Sequence, residues 1–181
     1  SGGTRRVFST WSDSGAIAHV IVAPATATTF TANFNTEFQL TIAASPANGG
    51  NVTPASGTFF PSGSVQNVTA TATSGFTFAG WTGPVANSSA SATTVTMSGP
   101  VSVTANFAAA LAVSCPASNA TFGSPYNSAI GATGGTSPYA FSIQSGSLPG
   151  NLTLNPTTGA ITGSPSSKGT FNFVARVADS S

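Results

Sequence analysis

Few side chains in this 181-residue chain could take part in acid–base, nucleophilic or metal chemistry. The chain has one His, His19, one Cys, Cys115, and three acidic residues, Asp13, Glu37 and Asp179. A zinc site or a catalytic triad needs His, Cys or carboxylate partners that this set does not supply. The acidic residues are too sparse for calcium, which takes six to eight oxygen ligands, and too scattered for paired-carboxylate hydrolysis. We therefore expect no enzyme, no metal and no cofactor, and we expect His19 to be a surface residue on a strand.

The charge content also limits the partners of the chain. Only 4% of residues are charged, against about 25% in an ordinary soluble protein. A net charge of +1 gives no basic surface for nucleic acid, which needs clustered Lys and Arg. The one adjacent pair, Arg5 and Arg6, is best interpreted as a solvated strand edge. No apolar run approaches the roughly 20 residues that cross a bilayer, so we expect neither nucleic-acid binding nor membrane insertion.

Two stretches of the chain share one layout. Residues 76–107 read FTFAGWTGPVANSSASATTVTMSGPVSVTANF, and residues 8–34 read FSTWSDSGAIAHVIVAPATATTFTANF. Each has a Phe three residues before a Trp, a small polar loop, a β-branched run, a Pro and a final Thr-Ala-Asn-Phe. A repeat of roughly 70 residues indicates small units laid end to end. Because the chain opens inside a repeat, we expect it to be a piece of a longer protein.

The elements that position these residues are expected to be short strands. Residues 38–44 alternate apolar and polar side chains, as a half-buried strand does, and the Asn-Gly-Gly at 48–50 suits a tight turn. Residues 54–63 are predicted to be a looping segment. Strands are predicted at Val7 and Phe8 and at residues 18–22, 28–34, 38–44, 51–53, 65–73, 93–97 and 101–107.

The C-terminal part changes character at residue 112. Gly, Pro and Ser turns recur there every 8 to 12 residues, which is typical of a β-sandwich. Strands are predicted at residues 112–115, 127–132, 139–144, 152–155, 160–164 and 169–177. The fold class is therefore all-β, in tandem small domains: a partial unit at 1–35, a complete unit at 36–107 and a sandwich at 108–181.

Two family resemblances fit this division. Residues 37–107 resemble the divergent internalin-type B repeat of bacterial surface proteins, through LTIAASPANGGNVTPASGTF, VTATATSGFTFAGWTG and VTMSGPVSVTANF. The first 34 residues look like the second half of a more divergent copy. Residues 115–181 are similar to an immunoglobulin-like family with a cadherin-type sandwich, through GATGGTSPYAFSI and SLPGNLTLNPTTGAITGSPSSKGTFNFVARVADS. Both resemblances imply repetitive extracellular stalks, adhesins and accessory modules rather than catalysis.

The immunoglobulin-like resemblance implies a structural role for Cys115 in a disulfide. Members of that family continue past the point matching Asp179 and Ser180 into one more strand, and several carry a second Cys there. The resemblance therefore implies a sandwich without its last strand. It also implies that Cys115 lies on the first strand and that its disulfide partner lies beyond Ser181.

The aromatic residues allow two interpretations. Trp11, Trp81, Phe78 and Phe107 are predicted to be core anchors, because a repeat needs the same large apolar group in each copy; a sugar-stacking platform is the alternative for the Trp pair. Exposed rings in a row, at Tyr126, Tyr139, Phe59 or Phe60, would favour carbohydrate binding. The five Asn-X-Ser/Thr triplets are expected by chance in so hydroxyl-rich a chain.

The function expected from the sequence is structural. We expect a stalk or fibre-forming segment of a secreted or cell-surface repeat protein, joined by domain stacking or strand addition. Its partners would be neighbouring domains, other copies of itself or surface carbohydrate. The alternative is a carbohydrate-binding accessory module of a secreted enzyme.

Overall fold

The computed structural model describes residues 2–180, and within that range every regular element is a β-strand. The all-β class is confirmed. Contacts divide the chain into two compact units: the first contains residues 1–74 and 78–107, and the second contains residues 75–77 and 108–181. The predicted divisions at residues 35 and 107 concern repeat copies and remain predictions.

The first unit is built from two sheets. One sheet has the strand order β1-β2-β8-β6, with β4 also paired to β2, and the other has the order β3-β5-β7. Strand β2 pairs with β8 in parallel, and the pairs β1–β2, β2–β4, β3–β5 and β5–β7 are antiparallel. The strands are β1 Thr4–Trp11, β2 Ala32–Ser45, β3 Gly50–Thr53, β4 Thr58–Pro61, β5 Val65–Ala72, β6 Phe76–Thr82, β7 Ala92–Thr96 and β8 Val101–Ala109.

The core of the first unit draws on both sheets. Alternate residues are buried on β2, β5 and β8, which is the pattern of two sheets packed face to face. The buried apolar residues are Leu40, Ile42, Val68, Ala70, Trp81, Val95, Met97, Val101, Val103, Ala105 and Phe107.

Strand β2 is longer than predicted. The sequence suggested separate strands at 28–34 and 38–44, but one strand of 14 residues runs from Ala32 to Ser45. Its core-facing row passes from Phe34 through Phe38 to Leu40 and Ile42, and exposure falls along it from 51% at Phe34 to none at Leu40. The same apolar face therefore extends beyond the part that the second sheet covers.

Two local predictions in this unit were wrong. Residues 18–22 form no strand, because no neighbouring strand is present to pair with them and an isolated strand is not stable in water. Residues 54–63 are not wholly a loop, since β4 lies within them and pairs with β2 from Glu37 to Leu40.

The second unit contains seven short strands in three small sheets, ordered β10-β14-β13, β11-β9 and β12-β15. Ile130, Phe141 and Ile161 form its buried core, with half-buried apolar residues packed around them. The predicted strand at 127–132 is two strands, β10 and β11, because Ile130 turns into the core between them. The strands are β9 Ala112–Ser114, β10 Tyr126–Ala129, β11 Gly131–Thr133, β12 Ala140–Gly146, β13 Leu152–Leu154, β14 Ala160–Gly163 and β15 Phe173–Ala178.

Candidate interaction surface

The complete copy of the repeat contains a cluster of three aromatic rings. The Phe78 ring centroid lies 5.8 Å from that of Trp81 and 6.0 Å from that of Phe107, with interplanar angles of 60° and 74°. Trp81 and Phe107 are each only 6% exposed, and Phe78 is half-buried. The Trp81 indole Nε1 donates to the carbonyl of Ala90 at 3.0 Å, which satisfies the one polar atom of the buried ring.

The partial copy reproduces the same three-ring cluster. The Phe8 ring lies 6.0 Å from both Trp11 and Phe34, at 53° and 84°, and Phe8 stands directly opposite Phe34 in the β1–β2 pair. The Trp11 Nε1 donates to the carbonyl of Ile17 at 3.4 Å, as Trp81 does to the loop that follows it. The two clusters thus have the same three-ring geometry, and the assignment of residues 1–35 as a partial copy remains a prediction.

The two clusters differ in what covers them. In the complete copy the Asn48-Gly49-Gly50 turn lies on Phe107: a Cβ on Gly49 would fall 2.7 Å from the Phe107 Cβ, and one on Gly50 would meet the ring itself. In the partial copy no comparable turn among residues 2–180 lies on Phe34, which is 51% exposed. We call the surface formed by Phe8, Trp11 and Phe34 the open face.

The segment after the Trp shows the same contrast. By alignment of the two copies, Val20 and Val22 correspond to Val95 and Met97. Val95 is 1% exposed and Met97 is fully buried, whereas Val20 is 91% exposed and Val22 is 86% exposed. In the complete copy β7 pairs with β5 and thereby turns Val95 inward. Residues 18–22 have no such partner strand within the described chain.

Charged groups border the open face on one side. An open depression of about 360 Å³ is lined by Arg6 and Phe34. Arg5 and Arg6 lie on β1, the edge strand of its sheet, and both are exposed. Arg5 forms an ion pair with Glu37, with 2.6 Å between the Arg5 Nη2 and the Glu37 Oε2, and its Cζ lies 4.4 Å from the Phe59 ring centroid. Arg6 is the cation next to the exposed Phe34 ring.

His19 is not the strand surface residue that the sequence suggested. Its side chain is 18% exposed, its Nε2 lies 2.8 Å from the Asp13 Oδ2, and its Nδ1 lies 2.8 Å from the Ala16 carbonyl oxygen. A carboxylate and a carbonyl both accept hydrogen bonds, so both ring nitrogens donate when the imidazole is protonated, and this arrangement favours the protonated form. The side chain therefore closes the loop after Trp11 rather than pointing outward from a strand.

The electrostatics of this loop follow from these bonds. The hydrogen bond to Asp13, then the one to Ala16, raises the pKa of His19 above its ordinary value. The pKa of Asp13 is lowered, chiefly by the backbone N–H of Gly15 donating to its carboxylate and then by His19. The Trp11 ring lies 6.0 Å from the His19 ring. The loop is thus fixed beside the open face. Because His19 lies against the Trp11 ring, Trp11 is only partly exposed.

Other residues that the sequence singled out lie elsewhere. Cys115 comes one residue after β9 and is exposed with a free thiol, so its predicted place on the first sandwich strand is off by one position. A partner beyond Ser181 remains a prediction. Among the described residues no group of three His, Cys, Asp or Glu could hold a metal ion.

The four aromatics proposed as a sugar platform are half-buried rather than exposed. Tyr126 donates its hydroxyl to the Ala117 carbonyl and Tyr139 to the Gly134 carbonyl, each at 2.5 Å. Phe59 and Phe60 lie in β4. Their exposure therefore lies between the full exposure that would favour carbohydrate stacking and the full burial that would disfavour it.

Comparison with known families supports both resemblances. Residues 40–111 match the model of the divergent InlB B-repeat domain, and residues 103–181 match that of the family described as "Putative Ig domain". Two successive parts of the chain therefore match the two families that the sequence indicated. These families consist of repeat or immunoglobulin-like structural domains. No curated protein and no solved structure matches the chain.

Modules of these kinds are typical of surface proteins. Over residues 2–180 the structure has no helix that is long and apolar enough to span a membrane. Sequence reasoning missed the bond between His19 and Asp13 but anticipated the open face, because half of a repeat unit leaves an apolar face uncovered. The signal for it was present, since the partial copy repeats the strands of the second half of the unit without those of the first.

Proposed function

We propose that the chain is a structural segment of a large secreted or cell-surface repeat protein. Its β modules are joined in series and hold other parts of the protein away from the surface, and the open face is its adhesive site. The observation that carries this proposal is the contrast between two copies of one plan, one closed by a second sheet and one left open. An edge strand and an apolar face together are the usual requirements for strand addition.

The low charge supports the same role. With so few Lys, Arg, Asp and Glu, neighbouring modules repel one another little, so they can stack closely or pack side by side. The expected partners are therefore neighbouring domains of the same protein or other β modules of similar composition. Neither nucleic acid nor lipid fits such a surface.

Antibody labelling of intact cells tests the surface location. Antibodies raised against the chain should label unpermeabilised cells that produce the protein, and external protease should remove the label. Labelling that requires permeabilised cells would contradict the proposal.

The alternative, a carbohydrate-binding accessory module, is supported less well because its four candidate rings are half-buried. It predicts that the chain is retained on insoluble polysaccharides and that substitution of Tyr126 or Tyr139 releases it. Retention lost in these variants, with an unchanged thermal melt, would favour carbohydrate binding over adhesion between β modules.

A further inference from the structure

The open face lacks one specific part of the repeat plan. In the complete copy three pieces adjoin the equivalents of Phe34, Val20 and Val22: the turn at 48–50 lies on Phe107, strand β5 pairs with β7, and strand β3 pairs with β5. Strand β5 pairs with β7 from Val65 opposite Thr96 to Thr69 opposite Ala92, and it places Val68 and Ala70 in the core, 0% and 7% exposed. All three pieces belong to residues 48–73, the first half of the plan.

We propose that the open face and residues 18–22 together form an acceptor for a β segment with the chemistry of residues 48–73. That chemistry is an Asn-Gly-Gly turn followed by uncharged, hydroxyl-rich strands with Val or Ala at alternate positions. The inference rests on the proposed adhesive function and names its partner. Residues 18–22 would take the place of β7 and pair with the incoming strand, which would turn Val20 and Val22 inward.

The complete copy of a second chain is not a suitable donor. Its β5 is already held between β3 and β7, and its Val68 is fully buried. Donating this strand would require the complete copy to open and expose its own core. The occupant must therefore be a first-half segment that is unpaired in its own chain.

The turn of the incoming segment must contain glycines, because side chains there would clash with the Phe34 ring. Only a backbone without Cβ atoms can lie flat on the Phe107 ring, as Gly49 and Gly50 do in the complete copy. Phe34 occupies the equivalent position and needs the same close approach. A segment with side chains at these two places would be held away from the ring.

The experiment mixes the full chain with a synthetic peptide that has the sequence of residues 48–73. Because Trp81 is already buried, a blue shift in tryptophan emission reports burial of Trp11. Amide hydrogen exchange should slow over residues 18–22 when the peptide is present. Since residues 48–73 carry no charge, binding should be nearly independent of salt.

Matched variants separate docking from nonspecific adsorption. V20D/V22D places two charges where the proposal needs apolar contact and should weaken binding by roughly tenfold or more in Kd. V174D changes another exposed Val, 54% exposed on β15, and should bind as the unaltered chain does. A peptide with Val68 and Ala70 replaced by Asp should not bind. Equal thermal melts of the variants show that the chain remains folded.

Three results would overturn the proposal. The first is no emission shift and no protection over residues 18–22 at any peptide concentration. The second is equal binding by V20D/V22D and the unaltered chain. The third is protection of residues 18–22 by self-association without peptide, which would make a second copy the occupant. Cell-surface labelling is independent of all three, so failure of the proposed surface role and failure of the acceptor can be told apart.

Discussion

His19 shows how much one side chain can organise in a chain with so few charges. It is held by two acceptors at 2.8 Å, and a Cβ on Gly15 would lie only 2.5 Å from its Nε2. The loop after Trp11 is therefore fixed by an imidazole, a carboxylate and a glycine that leaves room for the ring. This arrangement has a clear dependence on pH.

We expect the pKa of His19 to lie above its ordinary value and to fall in D13N. A raised pKa means that the stabilisation is fully present below the pKa of the unfolded chain and is lost as the pH rises through the folded pKa. Because the chain has one His, an NMR titration of its ring protons gives an unambiguous value. D179N removes a carboxylate elsewhere and should leave the titration unchanged; an equal shift in both variants would contradict the bond to Asp13.

The two Trp residues should differ in their contribution to stability. W81A removes a ring that is 6% exposed and should lower the free energy of unfolding by about 3–5 kcal/mol. W11A should cost clearly less, because the open face leaves that ring partly in water. Chemical denaturation of both variants provides the measurement. Equal losses would show that Trp11 is covered as fully as Trp81.

At the level of elements, the presence of the second sheet determines which segments form strands. The segments 18–22 and 92–96 follow the same loop in the repeat plan and carry similar apolar residues. Only the second is a strand, because β5 is present to pair with it. Pairing and burial by a neighbour outweigh the local preference of β-branched residues for strands.

The turn that covers Phe107 provides an element-scale prediction. G50A places a Cβ against the Phe107 ring and 2.6 Å from the Thr71 carbonyl oxygen. Neither can move without opening the core, so we expect a loss of about 1–3 kcal/mol. G99A is the matched control, since no atom lies within 4 Å of its added methyl group. A thermal melt of G50A equal to that of G99A would show that the turn does not lie on the ring.

Much of this architecture could be predicted from sequence. Alternation identified the strand at 38–44, and the repeated FxxW and TANF pattern predicts related halves in the two copies. The pattern could not show that 28–34 and 38–44 are one strand, because no turn residue marks either a break or a continuation between them. It also could not show that residues 18–22 stay unpaired, since pairing depends on a partner strand rather than on the segment itself.

The bond between His19 and Asp13 depends on the loop closing over six residues, for which the sequence carries no motif.

At the level of the whole molecule, the small number of charges should make stability nearly independent of pH. Acid unfolding arises mainly from carboxylates that are ionised and bonded in the native state, and this chain has only three acidic residues. Asp13 has a lowered pKa, so its contribution is present above the unfolded pKa and is lost as the pH falls through the folded one.

We therefore expect cooperative thermal unfolding to persist from about pH 7 to about pH 3, with a small decrease at the acid end from loss of the Asp13 bonds. Melts followed by circular dichroism provide the measurement, and D13N should remove most of the decrease. Complete unfolding near the pKa of ordinary carboxylates would contradict this expectation.

The central claim is that one plan occurs twice and that only the complete copy has a second sheet. Amide hydrogen exchange of the dilute full chain tests it most directly, by comparing residues 18–22 with residues 92–96. The account predicts rapid exchange in the first segment and strong protection in the second. Equal protection of both segments in the isolated chain would contradict it.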